Sequence, residues 1–202
     1  MAKRIKYLVI ALIFPIIFGI ARFVVNQGDY KYREMLVVIV CLIFLIGAIK
    51  YAQRVNLIVV RFLTKKECIQ LLLLLLLDIF FVYIYASIFH VSSRASTAFS
   101  ERRVTGYSIS FILSVSIFGP IEEELIFRGF IQNGVFQNSV LGLILTSCLF
   151  AFVHGPVNVI SFLFYAISGI IYGVSYKVSD NLSLPILSHI GYNSFVILVS
   201  LL

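Results

Sequence analysis

Charge is scarce in this chain. Asp, Glu, Lys and Arg make up 12% of its 202 residues, where a soluble domain carries about 25%. Long polar stretches are missing as well, so no separate soluble domain is expected. Cysteine is sparse: Cys41, Cys68 and Cys148 are odd in number, widely spaced, and lie in or beside apolar runs. That excludes a disulfide framework and a CxxC metal site. It leaves three small buried apolar side chains. No HExxH occurs, so no single helix supplies two zinc ligands and a base. Internal repeats are absent. So are the short alternating segments of a membrane β-barrel.

What is present is apolar. Hydrophobic residues make up 61% of the chain, against about 45–50% in soluble domains. The mean hydropathy is +1.06. The expected fold is all-α: a single polytopic membrane bundle of about seven transmembrane helices, each near the ~20 residues that cross a bilayer. The spans fall at Tyr7 to Val25, Met35 to Ala52, Ile69 to Val91, Tyr107 to Gln137, Val140 to His154, Val157 to Val178 and Ser183 to Leu202. The first is too long for a signal-peptide core and reads as an uncleaved helix. Arg54 to Gln70 is mixed and basic, as at an interface. Ser92 to Gly106, rich in Ser and Arg with no apolar periodicity, reads as the longest polar loop. Gln137-Asn138-Ser139 is a turn, and Gly155-Pro156 stops a helix. Ser183 is the expected N-cap of the last helix, with Pro185 in its first turn.

The net charge is +7. Its basic residues sit in short clusters between apolar runs, which argues against nucleic acid and for orientation signals in a lipid bilayer. A cytoplasmic N-terminus puts Lys3, Arg4, Lys6, Lys50, Arg54, Arg61, Lys65, Lys66 and Lys177 inside. Arg22, Lys31, Arg33, Arg94, Arg102 and Arg103 are then outside. The excess favours that orientation.

One stretch breaks the apolar pattern: Gly119-Pro120-Ile121-Glu122-Glu123-Glu124-Leu125-Ile126-Phe127-Arg128-Gly129. A charge at membrane depth costs a few kcal/mol or more unless it is paired or faces a polar cavity, so it marks a functional site by default. Glu124 and Arg128 are four apart in the acid-first order and form the natural ion pair. Glu123 is about 100° further round and points elsewhere. Glu122 reads as an auxiliary or interfacial acid. His154 closes the run Phe150 to His154. His189 and Asn193 are four apart and share a helix face. An intramembrane His is often only a hydrogen-bonder between helices. Here two of them accompany a Glu cluster, while His90 lies at a helix end outside it. With a hairpin turning at Asn138-Ser139, Glu123 and His154 each lie about fifteen residues from the turn, hence about 22 Å from it and at one depth.

The motifs Glu123-Glu124-x-x-x-Arg128, Phe150-x-x-x-His154 and His189-x-x-x-Asn193 resemble those of the CAAX-protease and bacteriocin-processing (Abi) family, type II CAAX prenyl endopeptidase-like intramembrane metalloproteases. Pro120, Phe127 and Gly129 also look like the family's first motif. The resemblance covers the chain from Gly119 onward. Glu122 is an additional acid, and the chain is short by family standards. A single domain then divides into N-terminal helices (1–106) and a catalytic core (107–202).

The resemblance implies a peptidase acting on a membrane peptide or lipidated protein in a bacterial plasma membrane, in pheromone or bacteriocin processing or in immunity. Carried over by position, Glu123 is the general base, assisted by His154. Glu124 with Arg128 supports it, and His189 with Asn193 polarises the scissile carbonyl. Amide hydrolysis needs such a base and donors for the developing negative charge. The resemblance leaves two ways to activate the water: a divalent metal such as zinc, held by His154 and His189 with Glu123 or Glu124 third, or the glutamate and histidine alone without a metal. Two other readings stand beside it. One is an immunity or scaffold protein without catalysis. The other is a proton-relay transporter, which needs polar groups spread through the bilayer depth rather than gathered at one level.

Overall fold

A computed structural model of the chain describes residues 1–27 and 32–201. Lys31, one of the basic residues used for orientation, lies outside them, as does Leu202. The fold among the described residues is helical throughout. In order come α1 (Ala2–Gln27), α2 (Arg33–Arg54), α3 (Lys65–Ile88) and α4 (Arg94–Thr105). A composite rod follows: α5 (Ile109–Leu113), the π-wound segment π1 (Ser114–Phe118), α6 (Gly119–Glu124) and a second π-wound segment π2 (Leu125–Val135). The chain ends in α7 (Val140–Val153), α8 (Val159–Ser179) and α9 (Ser183–Leu201).

By length and composition, α1, α2, α3, α8 and α9 are long and apolar enough to cross a membrane. Their outward faces carry Leu, Ile, Phe and Val, as a lipid-facing surface requires. The molecule is an integral membrane protein. The other two expected spans differ. One is the composite rod. The other, α7, has 14 residues and is about 21 Å long at 1.5 Å per residue, short of the ~30 Å hydrocarbon core. It stops where Gly155 turns to φ +63° ahead of Pro156. There a Cβ would meet the Arg94 side chain at 2.9 Å.

Several local expectations are corrected. Ser92 to Gly106 is not a loop, because α4 occupies Arg94–Thr105. It is nucleated by a capping box in which Ser93 and Ser96 satisfy each other's backbone N–H groups. Such a helix needs no apolar stripe to start. The third span begins earlier than Ile69, since Thr64 and Glu67 form another capping box. Ser183 is not the N-cap of α9: Asn181 Oδ1 accepts from the Ser183 N–H at 3.2 Å, two residues upstream. Cys68 is exposed, unlike the buried Cys41 and the half-buried Cys148. It lies in the first turn of α3 beside Lys65 and Lys66, at the surface end of that helix.

The core forms around the rod. Leu125, Ile126, Phe127, Phe130 and Ile131 of π2 pack with Ala11, Phe150, Tyr176, Leu182 and Ile186. A smaller cluster joins Phe118 to Phe18, Val37, Cys41 and Leu45. α7 and α8 cross closely at Gly169, where a Cβ would lie 3.0 Å from Ser147 Cα. The rod thus sits between α1 and α2 on one side and α7, α8 and α9 on the other.

Candidate active site

The rod supplies the acids. Glu124 and Arg128 are both completely buried, and Arg128 Nη1 donates to Glu124 Oε1 at 3.1 Å. Arg128 Nη2 donates to the Gly169 carbonyl at 2.8 Å. One turn on, Gln132 Nε2 donates to the Gly173 carbonyl at 3.0 Å. Two polar side chains four apart thus bind two carbonyls four apart, and the rod is locked to α8. The guanidinium also faces the rings of Phe150 at 5.0 Å and Tyr172 at 5.6 Å. A buried charge is tolerable only with this degree of pairing.

Glu124 Oε1 has a second partner, His189 Nδ1 on α9, at 3.0 Å. A carboxylate oxygen accepts, so Nδ1 carries the proton and Nε2 faces the other way. At the C-cap of α7, His154 Nδ1 is 2.8 Å from the Phe150 carbonyl. The same rule puts the proton on Nδ1 and turns Nε2 outward. Both Nε2 atoms face Glu123 Oε2, at 3.9 Å from His154 and 4.0 Å from His189. Glu123 Oε2 is buried and has no hydrogen-bond partner of its own. Three acceptor atoms therefore converge on one small space.

That space opens into a cavity of about 570 Å³, lined by Glu123, Phe150, His154, Tyr165, His189 and Asn193 among others, with Ser96 and Phe99 of α4 also in its lining. The structure thus brings Glu123, Glu124, Arg128, His154 and His189 into one cluster with Asn193 on the same wall. Asn193 has a further task. Within π1 the Gly119 N–H reaches back five residues to the Ser114 carbonyl. The next ladder bond would run from residue 120 to Val115, but Pro120 has no N–H. Asn193 Nδ2 fills that position, donating to the Val115 carbonyl at 2.9 Å. Its second N–H remains. Glu122 is half-buried on another face of the rod. His90 is exposed and outside the cluster.

Some contributors are invisible to motif reading. Tyr165 stacks on His154 with ring centroids 4.4 Å apart, and Tyr172 stacks on His189 at 4.6 Å. The two tyrosines are seven apart on α8, hence on one face. That spacing is a usable signal. Asp78 is a single acid in the apolar run of α3 and is 2% exposed. It lies behind Tyr172 and was legible by the rule that intramembrane acids mark sites.

A divalent metal is the cofactor the family resemblance implies. The donor chemistry suits one, since two Nε2 lone pairs and a carboxylate oxygen face each other. The spacing does not. Ligands about 2.1 Å from a tetrahedral zinc lie about 3.4 Å apart, whereas the Glu123–His distances are 3.9 and 4.0 Å. Among the described residues no group of three or more His, Cys, Asp or Glu side chains is arranged to hold a metal. The space fits a water: about 2.8 Å from Glu123 Oε2 and from either Nε2, it spans them at an angle of about 90°.

A polytopic membrane protein with a buried carboxylate–imidazole centre is the class this geometry defines. Comparison with known proteins narrows it. Residues 105–195 match the profile of the family described as type II CAAX prenyl endopeptidase Rce1-like. The chain is 33% identical over 100 residues to the membrane-embedded CAAX protease MroQ of Staphylococcus aureus. That match covers 46% of this chain and 40% of MroQ. It is 30% identical over 92 residues to the putative membrane peptidase YdiL of Bacillus subtilis, covering 45% of this chain and 37% of that protein. The matched stretch is thus well under half the length of either relative. No solved structure matches the chain significantly.

Proposed function

We propose that this protein is an intramembrane peptidase that hydrolyses a peptide bond of a membrane-associated peptide or lipidated protein, using water activated by Glu123 and His154. The observation that carries the reading is the convergence of Glu123 Oε2 with the Nε2 atoms of His154 and His189. The Rce1-like match over the same segment supports it. MroQ and YdiL, named as a CAAX protease and a putative membrane peptidase, point to the same chemistry in a bacterial plasma membrane.

Three acceptors cannot all be satisfied by the two hydrogens of one water. A donor among them completes the set: in this reading it is His189, with one N–H on Nδ1 given to Glu124 Oε1 at 3.0 Å and the other on Nε2. Glu123 and His154 then accept from the water. As the water oxygen attacks the scissile carbonyl carbon, its proton passes to Glu123. The carbonyl π pair moves onto oxygen, and the oxyanion accepts hydrogen bonds from His189 Nε2–H and the free N–H of Asn193. Glu123 then returns the proton to the leaving amine as the C–N bond breaks. Arg128 holds Glu124, and so His189, in position.

The lining of aromatic rings beyond the polar trio suits an apolar peptide segment entering from the bilayer. The basic residues support a cytoplasmic N-terminus. Proteoliposomes containing the full chain, supplied with a library of lipidated fluorogenic peptides, test the reading. Hydrolysis by the unaltered protein and none by Glu123→Gln is expected. Equal turnover by both overturns it.

A further inference from the structure

We propose that the cavity between α1, α2, α4 and α5 is a binding site for an anionic phospholipid, held by its headgroup phosphate. The site does not depend on the peptidase reading. A cytoplasmic N-terminus leaves Arg22, Arg33 and Arg102 on the side with fewer basic residues. These three arginines are not scattered. They line one cavity of about 520 Å³.

Three helices deliver them. Arg22 lies near the end of α1, Arg33 opens α2, and Arg102 is in the last turn of α4. The cavity therefore lies where the first two spans end, at the level of lipid headgroups. Arg22 is half-buried, with its guanidinium over the Phe18 ring at 5.4 Å, a contact that engages no acceptor. Among the described residues no carboxylate lies within ion-pair distance of it. The carboxylate in the described lining is Glu34. Its Oε2 accepts from the Ser110 N–H at 2.9 Å, and its Oε1 is 4.0 Å from Arg33 Nη2. One anion thus stands against three guanidiniums, and positive charge is in excess. Gly19, one turn before Arg22, keeps the space open, since a Cβ there would meet nothing within 4 Å.

The chemistry of the walls selects the ligand. Guanidinium forks match the oxygens of a phosphate, and a basic pocket between membrane helices is a place for a lipid headgroup. Ile16, Ile20 and Phe23 are exposed on one face of α1, and Phe23 also lines the cavity. An acyl chain lying along that face brings its phosphate to Arg22. A soluble anion makes no use of the apolar path. A zwitterionic headgroup carries a cation that the excess positive charge repels. An anionic phospholipid satisfies both walls.

The test uses the full chain, purified in detergent and stripped of endogenous lipid. Phosphatidylglycerol or phosphatidylcholine with the same acyl chains is titrated in, and native mass spectrometry counts the lipid retained. Phosphatidylglycerol is expected to bind about tenfold more tightly, the scale of one hydrogen bond to a charged group. Arg22→Gln should lose about that factor. Arg33→Gln should do the same, and it carries the test if Arg22→Gln does not fold. Arg103→Gln removes an equal charge outside the cavity lining and should bind as the unaltered protein does. Inorganic phosphate at millimolar concentration should leave the lipid in place. Displacement by it would assign the cavity to free phosphate and overturn the proposal. Equal binding of the two lipids, or unchanged binding in the folded Arg22→Gln or Arg33→Gln protein, overturns it as well. So does an equal loss in Arg22→Gln and Arg103→Gln, since attraction to the charged surface as a whole would then be at work.

Discussion

Asn193 donates to the Val115 carbonyl in the place that Pro120 cannot fill. The side chain of α9 therefore completes the backbone ladder of π1, and the two helices are registered to each other within the wall of the cavity. Asn193→Ala leaves a shielded carbonyl without a donor, which costs about 1–3 kcal/mol. A lower thermal midpoint in detergent is expected. Adding Pro120→Ala returns an N–H to the same carbonyl. The double variant should recover part of the loss, and a double-mutant cycle with no coupling would show the two residues to be independent.

The three consecutive acids should separate by readout. Glu123→Gln removes the proton acceptor and should abolish peptide processing with normal protein level and membrane insertion. Glu124→Gln leaves Arg128 buried without its anion, a loss of about 3–5 kcal/mol, so abundance or thermal stability should fall along with activity. Glu122→Gln should do least, its carboxylate pointing away from the cluster. Full biological activity in the Glu123→Gln protein would replace proteolysis with an immunity or scaffold role.

Exhaustive chelation tests the water-activation scheme directly. The spacing of Glu123, His154 and His189 suits a water, so hydrolysis should survive removal of divalent ions. Loss on chelation with recovery on zinc add-back would mean that the trio closes by about half an ångström around an ion.

Orientation is checked by reporter fusions at Gln53 and Ser96, the first expected inside and the second outside. The reverse pattern would invert the topology while leaving the chemistry where it is.

Much of the site was legible because its residues obey helical spacing. Glu124 and Arg128 meet as an i, i+4 pair should, and the hairpin count that put Glu123 and His154 at one depth agrees with their 3.9 Å separation. What escaped was anything that depends on departures from that spacing or on partners far along the chain. The π winding of π1 and π2 is not announced by any residue type in those segments. Pro120 signals a missing donor, but nothing in the sequence says which side chain replaces it. α4 was missed because its start is polar, set by Ser93 and Ser96 rather than by an apolar stripe. Asp78 needed no geometry at all, only the rule already applied to the glutamates.

On the peptidase reading, the shortness of α7 bears on how the reaction would be supplied. Hydrolysis consumes one water for each bond cut, and hydrocarbon delivers almost none. Because α7 stops at Val153, the chain beyond His154 runs as open backbone, pairing Arg94 N–H with the Gly155 carbonyl and Val157 N–H with that of Ser92. Backbone of this kind is tolerated at membrane level only where protein or water covers it. The segment leading into α4 covers that backbone, so beside His154 the wall of the cavity is this paired backbone and not a helix face, and on the peptidase reading that is where water would enter.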